Sequence, residues 1–197
     1  MEKFIHFMEL FPPLSPWQTI LLILILIPTL ITLIWGAPWV PTPMNRVLKM
    51  LQLAKLKPGQ KIYDLGCGDG RLVHLASIHY KAKAIGLEFS PLIYAMAKLI
   101  QPYYWLKGSR AQIKFRNFYK VNLNDADVVV CYLLPHSMRK IQKKLELELK
   151  KEAQVISYAF PVTAWIPNHR SPRQRQKAFG PIWVYKFPVK PQKKQPL

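Results

Sequence analysis

Four residues that could form a ligand-binding turn stand at every second position after a short apolar run. Asp64, Gly66, Gly68 and Gly70 give the pattern D-x-G-x-G-x-G. Glycine permits positive φ angles and lets a ligand approach the backbone where a Cβ would collide. A helix that follows such a turn presents unpaired N–H groups to a carboxylate or phosphate. The spacing therefore predicts a ligand-binding turn between a strand and a helix.

A second acidic position, Glu88, closes the next apolar run, 20 residues after Gly68. A carboxylate there can accept hydrogen bonds from both hydroxyls of a ribose. The turn and Glu88 together predict a nucleoside cofactor at the carboxyl ends of a parallel sheet. A nicotinamide dinucleotide would require glycine at the position of Arg71, so that fingerprint fails. Helix capping or solvation of a turn is the structural alternative for these carboxylates.

Short apolar segments alternate with helical segments along the rest of the chain. Predicted strands cover 61–65, 82–87, 112–115, 126–133 and 154–160, with an edge strand at 181–187. Predicted helices cover 70–80, 91–105 and 136–151. This alternation is typical of an α/β fold in which helices cover a parallel sheet. A length of 197 residues suits one such domain, which we expect at 58–188.

An uncharged segment precedes this domain, because no charged residue occurs from Leu10 to Asn45. The run from Trp17 to Trp35 would reach about 28 Å as a helix, close to the roughly 30 Å hydrocarbon core of a bilayer. Tryptophans at both ends suit the two membrane interfaces. The sequence predicts a single transmembrane anchor at 17–36 after a short tail at 1–16. A buried core helix and a cleaved signal peptide are the alternatives.

Basic residues dominate the chain, with 29 Lys or Arg against 10 Asp or Glu and a formal net charge of +19. They cluster after the apolar run, in the Pro-rich connection and amphipathic helix predicted at 37–57, and in the tail at 189–197. Since positive residues stay inside, we expect the folded domain on the cytoplasmic side of the membrane. The anionic leaflet is the expected lipid partner. Nucleic acid is the alternative partner, disfavoured because the sequence has no evident nucleic-acid motif.

The turn motif, Glu88 and the apolar strand ending at Leu134-Pro135 together resemble class I S-adenosylmethionine-dependent methyltransferases. Residues 37–183 further resemble the membrane-anchored protein-lysine methyltransferases that act on the ATP synthase c-subunit and the adenine nucleotide translocase. The resemblance rests on these stretches: Pro38-Trp39-Val40-Pro41-Thr42-Pro43, Asp64 to Arg71, Asn117-Phe118-Tyr119-Lys120, Asp125 to Val130, Phe160-Pro161 and Trp165-Ile166-Pro167. It implies a Rossmann-like methyltransferase sheet with flanking helices, and S-adenosylmethionine as methyl donor.

The same resemblance implies which residues form the site. The cofactor-binding positions it implies are Asp64, Gly66, Gly68, Gly70, Glu88, Asn117 and Phe118. Asn117 replaces an Asp often found there, and its side-chain carbonyl can still accept a hydrogen bond from an adenine amine. Tyr132 and Pro135 are expected beside the methyl acceptor. No metal is expected, and Trp165 is a candidate for the acceptor entrance.

The expected function is methylation of a lysine in a membrane or membrane-associated protein. Tyr132-Leu133-Leu134-Pro135 is closer to the prokaryotic relatives than to the mitochondrial enzymes, which leaves the protein substrate open. Two alternatives remain. The acceptor could be a lipid, a quinone or another small apolar molecule, or the chain could be a non-catalytic basic scaffold that binds lipid or RNA.

Overall fold

The computed structural model describes residues 13–35, 40–172 and 180–191. Side chains are not described at Pro28, Thr29 and 31–35. The predicted N-terminal tail and the predicted basic tail at 189–197 therefore lie mostly outside the described residues.

A seven-stranded sheet forms the centre of the fold. The strands of the protein are β1 (Lys61–Leu65), β2 (Lys83–Glu88), β3 (Gln112–Phe115), β4 (Val128–Cys131), β5 (Gln154–Tyr158), β6 (Trp165–Ile166), β7 (His169–Ser171), β8 (Ile182–Lys186) and β9 (Lys190–Pro191). The strand order in the central sheet is β3-β2-β1-β4-β5-β8-β7. The strands β1 to β5 are parallel, and β8 and β7 extend the sheet in antiparallel fashion. A separate two-stranded sheet pairs β6 with β9.

Helices cover both faces of this sheet and create two apolar cores. The helices are α1 (Pro16–Trp35), α2 (Met44–Ala54), α3 (Arg71–Tyr80), α4 (Pro91–Leu106) and α5 (Pro135–Glu148), with a 3₁₀ turn at Phe118–Lys120. Buried residues of α2 and α3, and one of α4, form the core on one face. Buried residues of α5 form the core on the other. This is the layered α/β arrangement that the sequence predicts, and the Rossmann-like fold is confirmed.

The crossover in strand order lies between β1 and β4, which are neighbours although β2 and β3 come between them in the chain. In open α/β sheets a ligand binds outside the carboxyl ends of the strands at such a point. Leu65 and Cys131 end the two strands and are register partners. The fold therefore places a ligand site just beyond these two residues.

Three predicted strands are shorter than expected, among them the edge strand predicted at 181–187, which forms β8 at Ile182–Lys186. The strand predicted at 126–133 ends at Cys131, because β1 turns away after Leu65 and leaves no ladder partner on that side. The strand predicted at 154–160 ends at Tyr158, since Ala159 takes a positive φ of 66°. The shortened end of β4 releases Tyr132, which the sequence analysis placed beside the acceptor.

Helix α1 confirms the predicted helical conformation of the apolar segment, and it contacts α4. Among the described residues, however, no helix combines the length and apolarity that crossing a bilayer requires. The predicted membrane span is not supported by this finding.

Candidate functional site

The glycine turn joins β1 to α3 and is fixed to the end of β2. The N–H groups of Gly66 and Cys67 both donate to the carbonyl of Leu87, at 2.8 and 3.1 Å. Gly70 donates to the carbonyl of Cys67 at 3.0 Å, which closes the turn before α3 begins. The backbone of the predicted ligand-binding turn is thus held against the neighbouring strand.

Gly70 has a conformation and surroundings that exclude a side chain. Its φ is +79°, in the left-handed region, and a Cβ would lie 2.3 Å from Cδ1 of Ile113 and 3.4 Å from Cδ2 of His74. Glycine avoids both the backbone strain and the collision. The first turn of α3 therefore approaches β3 closely.

Glu88 and Gly68, predicted from separate motifs, are in direct contact. Gly68 N–H donates to Oε2 of Glu88 at 3.1 Å, while Phe89 and Ser90 N–H donate to Oε1 at 2.9 and 2.8 Å. Burial raises the pKa of Glu88, and the three N–H donors lower it without cancelling that effect. The carboxylate is oriented by backbone groups and retains acceptor capacity for a ribose.

Three carboxyl groups converge around the turn. Asp64 is buried within β1, and burial, followed by the charges of Glu88 and Asp69, raises its pKa to about 8. The same carboxyl groups contribute to a raised pKa of the buried Cys67 thiol. A cationic ligand would stabilise the charged forms of these carboxyl groups, so the site favours such a ligand. A cofactor with a sulfonium and an ammonium group fits this site.

Arg71, at the start of α3, connects this turn to the Pro-rich connection that precedes α2. Its Nε and Nη2 atoms donate to the carboxylate of Asp69, and Nη1 donates to the carbonyl of Thr42 at 3.1 Å. The ion pair raises the pKa of Arg71. Residues 40–43 therefore lie against the carboxyl edge of the sheet. This contact was not anticipated, because nothing in the local spacing joins positions 29 residues apart.

Asn117 and Phe118 follow β3 at the same edge. Oδ1 of Asn117 accepts the Tyr119 N–H at 3.0 Å and caps the 3₁₀ turn. An amide oxygen has two lone pairs, so a second hydrogen bond to an adenine amine remains available. Phe118 is buried in the core on the α5 face, so its side chain packs rather than facing the turn. The cofactor role of both residues stays a prediction.

Tyr132 and Pro135 lie beyond the end of β4, at the crossover point. Tyr132 is half-buried, and its ring meets Tyr158 edge-on at 4.8 Å and lies parallel to Phe160 at 6.4 Å between centroids. Burial, then the neighbouring Tyr158, raises the pKa of the Tyr132 phenol. Pro135 is exposed at the first position of α5. The structure brings three aromatic rings together where the sequence analysis named one.

Trp165 does not line an entrance. Only 2% of its surface is exposed, its ring packs on Tyr185 and Phe187, and Nε1 donates to Glu146 at 2.6 Å. It is a core residue with a satisfied indole N–H. His136 lies exposed in the first turn of α5, with Nε2 at 3.1 Å from the Ser137 hydroxyl. Within the described ranges, no cluster of His, Cys, Asp or Glu could hold a metal ion.

A family profile described as the ANTKMT methyltransferase domain matches residues 64–169, more than half of the chain and nearly all of the site. The chain belongs to the ANTKMT methyltransferase family. It is an S-adenosylmethionine-dependent methyltransferase, and the predicted cofactor is confirmed. The family predicted from the glycine turn, Glu88 and the Pro-rich connection is also confirmed.

Relatives of this methyltransferase include a protein-lysine N-methyltransferase from Saccharolobus islandicus, 37% identical over 134 residues that cover 66% of this chain and 81% of the relative. The adenine nucleotide translocase lysine N-methyltransferase of Mus musculus is 33% identical over 132 residues, 66% of this chain and 56% of that protein. The chain thus spans little more than half of the mouse relative. A solved RNA methyltransferase from Salinibacter ruber, bound to S-adenosyl-L-homocysteine, superposes with a TM-score of 0.71 at 25% identity, covering 80% of this chain and all of that one.

Proposed function

We propose that this methyltransferase transfers a methyl group to the ε-amine of a lysine in a membrane or membrane-associated protein. The observation that carries the proposal is the aromatic cluster of Tyr132, Tyr158 and Phe160 at the carboxyl ends of β4 and β5. The names of the archaeal and mouse relatives, both lysine N-methyltransferases, support the choice of lysine.

The cluster suits the long side chain of a lysine. Aromatic faces pack against a methylene chain and attract an ammonium group through their quadrupoles. The half-buried rings of Tyr132 and Phe160, packed with the buried Tyr158, also lower the local dielectric, which depresses the pKa of an amine that enters. The neutral amine is the nucleophile that methylation needs. The aromatic lining can therefore bind the cation first and then favour loss of its proton.

No titratable side chain is required to take that proton, because the ammonium releases it to solvent water before water is excluded from the site. The raised pKa of Tyr132 keeps its phenol neutral at physiological pH, so its hydroxyl serves to orient the amine by hydrogen bonding. S-adenosylmethionine, when bound, supplies an electrophilic methyl group for an in-line displacement. The contribution of this chain is alignment of the acceptor and exclusion of water. We expect residues 40–43, which are attached to the glycine turn through the Arg71–Thr42 hydrogen bond, to cover the reacting groups.

Helix α1 supports the proposal that the acceptor lies at a membrane. Its described side chains are mainly large, apolar and exposed, among them Leu21, Leu24 and Ile27. The surrounding segment from Leu10 to Asn45 has no charge, and basic residues follow it. We take α1 to be a membrane anchor with the folded domain on the cytoplasmic side. Separate reporters fused at the two termini test this topology, and an external C-terminal reporter would contradict it.

The acceptor is tested with membranes from a strain that lacks the protein. Purified full-length chain and S-adenosylmethionine labelled in the methyl group are added, and the label is then sought in protein, lipid and RNA fractions. We expect label in protein, at the ε-nitrogen of lysine by mass spectrometry. Glu88→Ala serves as the cofactor-binding control and should reduce the label in every fraction at a limiting cofactor concentration. Label in lipid or RNA, absent from protein, would overturn lysine methylation and select one of the alternatives.

A further inference from the structure

Helix α4 presents an apolar stripe on the side that faces away from the sheet. Its inward side is defined by Ala97 and Gln101, the buried residues of the helix. The opposite side carries Leu92, Leu99, Tyr103 and Leu106 at spacings of three, four and seven residues, all exposed. The exposed fractions reach 83% at Leu99 and 91% at Leu106. A helix in contact with water ordinarily has polar residues on this side.

The stripe stays exposed although α1 contacts the same helix. The only charged residue within α4 is Lys98, and Lys107 follows the helix on the other flank of the stripe. The ammonium of Lys107 lies 4.3 Å from the ring centroid of Tyr103, and that of Lys98 lies 5.9 Å from the ring centroid of Trp105. Apolar residues between lysines and interfacial aromatic rings are the composition of a helix that lies in a membrane interface.

The positive charge around the stripe indicates which partner this surface binds. From Phe89 to Asn124 the sequence has no carboxylate, and its basic residues are Lys98, Lys107, Arg110, Lys114, Arg116 and Lys120. All six are exposed in the structure. A second copy of the chain would bring two such positive surfaces together, which is unfavourable. An anionic bilayer supplies the opposite charge and an apolar layer for the leucines.

We infer that the α4 stripe, Leu92, Leu99, Tyr103 and Leu106, is a docking surface that lies in the interface of an anionic bilayer. The inference rests on the proposed membrane attachment and extends it, because it assigns the face of the folded domain that meets the lipid. Since α4 begins three residues after Glu88, this orientation holds the cofactor site close to the headgroups. Acceptors at the membrane surface are then within reach, and acceptors in bulk solution are not.

The test compares two equally exposed leucines of the full-length chain. Leu99→Cys carries an environment-sensitive fluorophore on the stripe. Leu147→Cys, on α5 at the other face of the sheet, is the matched control because Leu147 is 86% exposed. Both native cysteines are buried, and the parent protein treated with the same fluorophore measures any labelling of these two residues. Cofactor binding by each variant checks that it is folded.

Each labelled protein is reconstituted with vesicles of phosphatidylcholine and phosphatidylglycerol that contain a doxyl-labelled lipid quencher. We expect quenching at position 99 to exceed that at position 147 by at least about twofold, with a blue-shifted emission at position 99 alone. Replacing Lys107, Arg110 and Lys114 by Gln, or using phosphatidylcholine alone, should reduce the quenching at position 99. Added salt should act in the same direction.

Sedimentation of the same samples separates the two proposals. Co-sedimentation with vesicles while position 99 remains in water would overturn the docking surface and leave membrane attachment standing. Absence of co-sedimentation would overturn both. If the fluorophore at position 99 becomes more buried as the protein concentration rises, and the lipid quencher has no effect on it, the stripe contacts a second copy of the chain. That result would contradict the inference.

Discussion

The guanidinium of Arg71 hydrogen-bonds to the carbonyl of Thr42 at 3.1 Å while it forms an ion pair with Asp69 in the glycine turn. One side chain therefore connects the segment that follows the apolar helix with the predicted cofactor-binding turn. The planar fork of an Arg allows both contacts at once, which the single ammonium of Lys cannot reproduce. The contact makes the position of residues 40–43 dependent on the cofactor turn.

Arg71→Lys should release residues 40–47 while the charge beside Asp69 remains. We expect faster amide hydrogen exchange in this segment and a loss of about 1–2 kcal/mol in the free energy of unfolding, the scale of a hydrogen bond to a charged group. The control is Arg110→Lys, an exposed position, which should change neither quantity. Unaltered exchange in 40–47 would mean that the Thr42 contact does not hold the connection.

Glu88→Ala should weaken S-adenosylmethionine binding by roughly 1.5 to 3 kcal/mol, because the carboxylate is the expected acceptor for the ribose hydroxyls. Isothermal titration calorimetry measures the change, and NAD should show no binding to either protein. Glu152→Ala removes an exposed carboxylate that pairs with Lys186 and should leave the affinity unchanged. Equal affinities for Glu88→Ala and the parent would remove Glu88 from the site.

Cofactor affinity should increase with pH because of Asp64. Burial and the neighbouring acidic groups raise its pKa to about 8 in the free protein. A cationic cofactor favours the carboxylate, so the pKa of Asp64 must be lower in the complex. The affinity for the cofactor is then greatest above the pKa of Asp64 in the free protein, and it falls as the pH decreases through that pKa. Calorimetry between about pH 6 and pH 9 measures how the cofactor affinity depends on pH. The same pH dependence in Asp64→Asn would contradict the assignment of this effect to Asp64.

The same group should make the free protein less stable as the pH rises. An unfolded Asp titrates near 3.8, well below the folded value of about 8. Because the folded pKa is the higher one, the stabilisation is fully present below the unfolded pKa and is lost as the pH increases through the folded pKa. Asp64→Asn should therefore increase the melting temperature of the free protein at pH about 8 while it weakens cofactor binding. A lower melting temperature would show that the carboxylate stabilises the free fold.

Gly70→Ala should cost more stability than Gly59→Ala, although both glycines have φ near +80°. The strain of a left-handed Ala is common to both, and nothing lies within 4 Å of a Cβ at Gly59. At Gly70 the added methyl meets Ile113, for a further cost of about 1–3 kcal/mol. Chemical denaturation measures both variants. In the Ile113→Val background, which lacks Cδ1, the difference between the two sites should shrink, and an unchanged difference would exclude the collision as its cause.

Tyr132→Ala should impair methyl transfer without loss of cofactor binding, since the ring lies with Tyr158 and Phe160 rather than with the carboxyl groups. We expect at least a tenfold lower kcat/KM for the acceptor, about 1.4 kcal/mol. Tyr132→Phe keeps the aromatic surface and should retain most of the binding of the acceptor, so the comparison separates packing from hydrogen bonding. Weakened cofactor binding in Tyr132→Ala would move the residue from the acceptor side to the cofactor side.

Some features were determined by the sequence alone. The alternation of apolar segments predicts the sheet because strand and helix periodicities are local, and β1 and β3 have the predicted bounds. The glycine spacing and Glu88 predict the cofactor turn because glycine at positive φ is a local requirement of the backbone. The nearly all-apolar segment that contains β4 predicts a central strand, since parallel strands are buried on both faces.

Only the tertiary structure decides which distant residues meet. The contacts of Glu88 with Gly68 and of Arg71 with Thr42, and the gathering of Tyr132 with Tyr158 and Phe160, depend on strand order. The raised pKa of Asp64 likewise depends on burial and on charges from other segments. The burial of Trp165 likewise could not be predicted from the local sequence, because it becomes a core residue only when Tyr185 and Phe187 pack beside it. Local pattern specifies the backbone, whereas burial and through-space charge specify the chemistry.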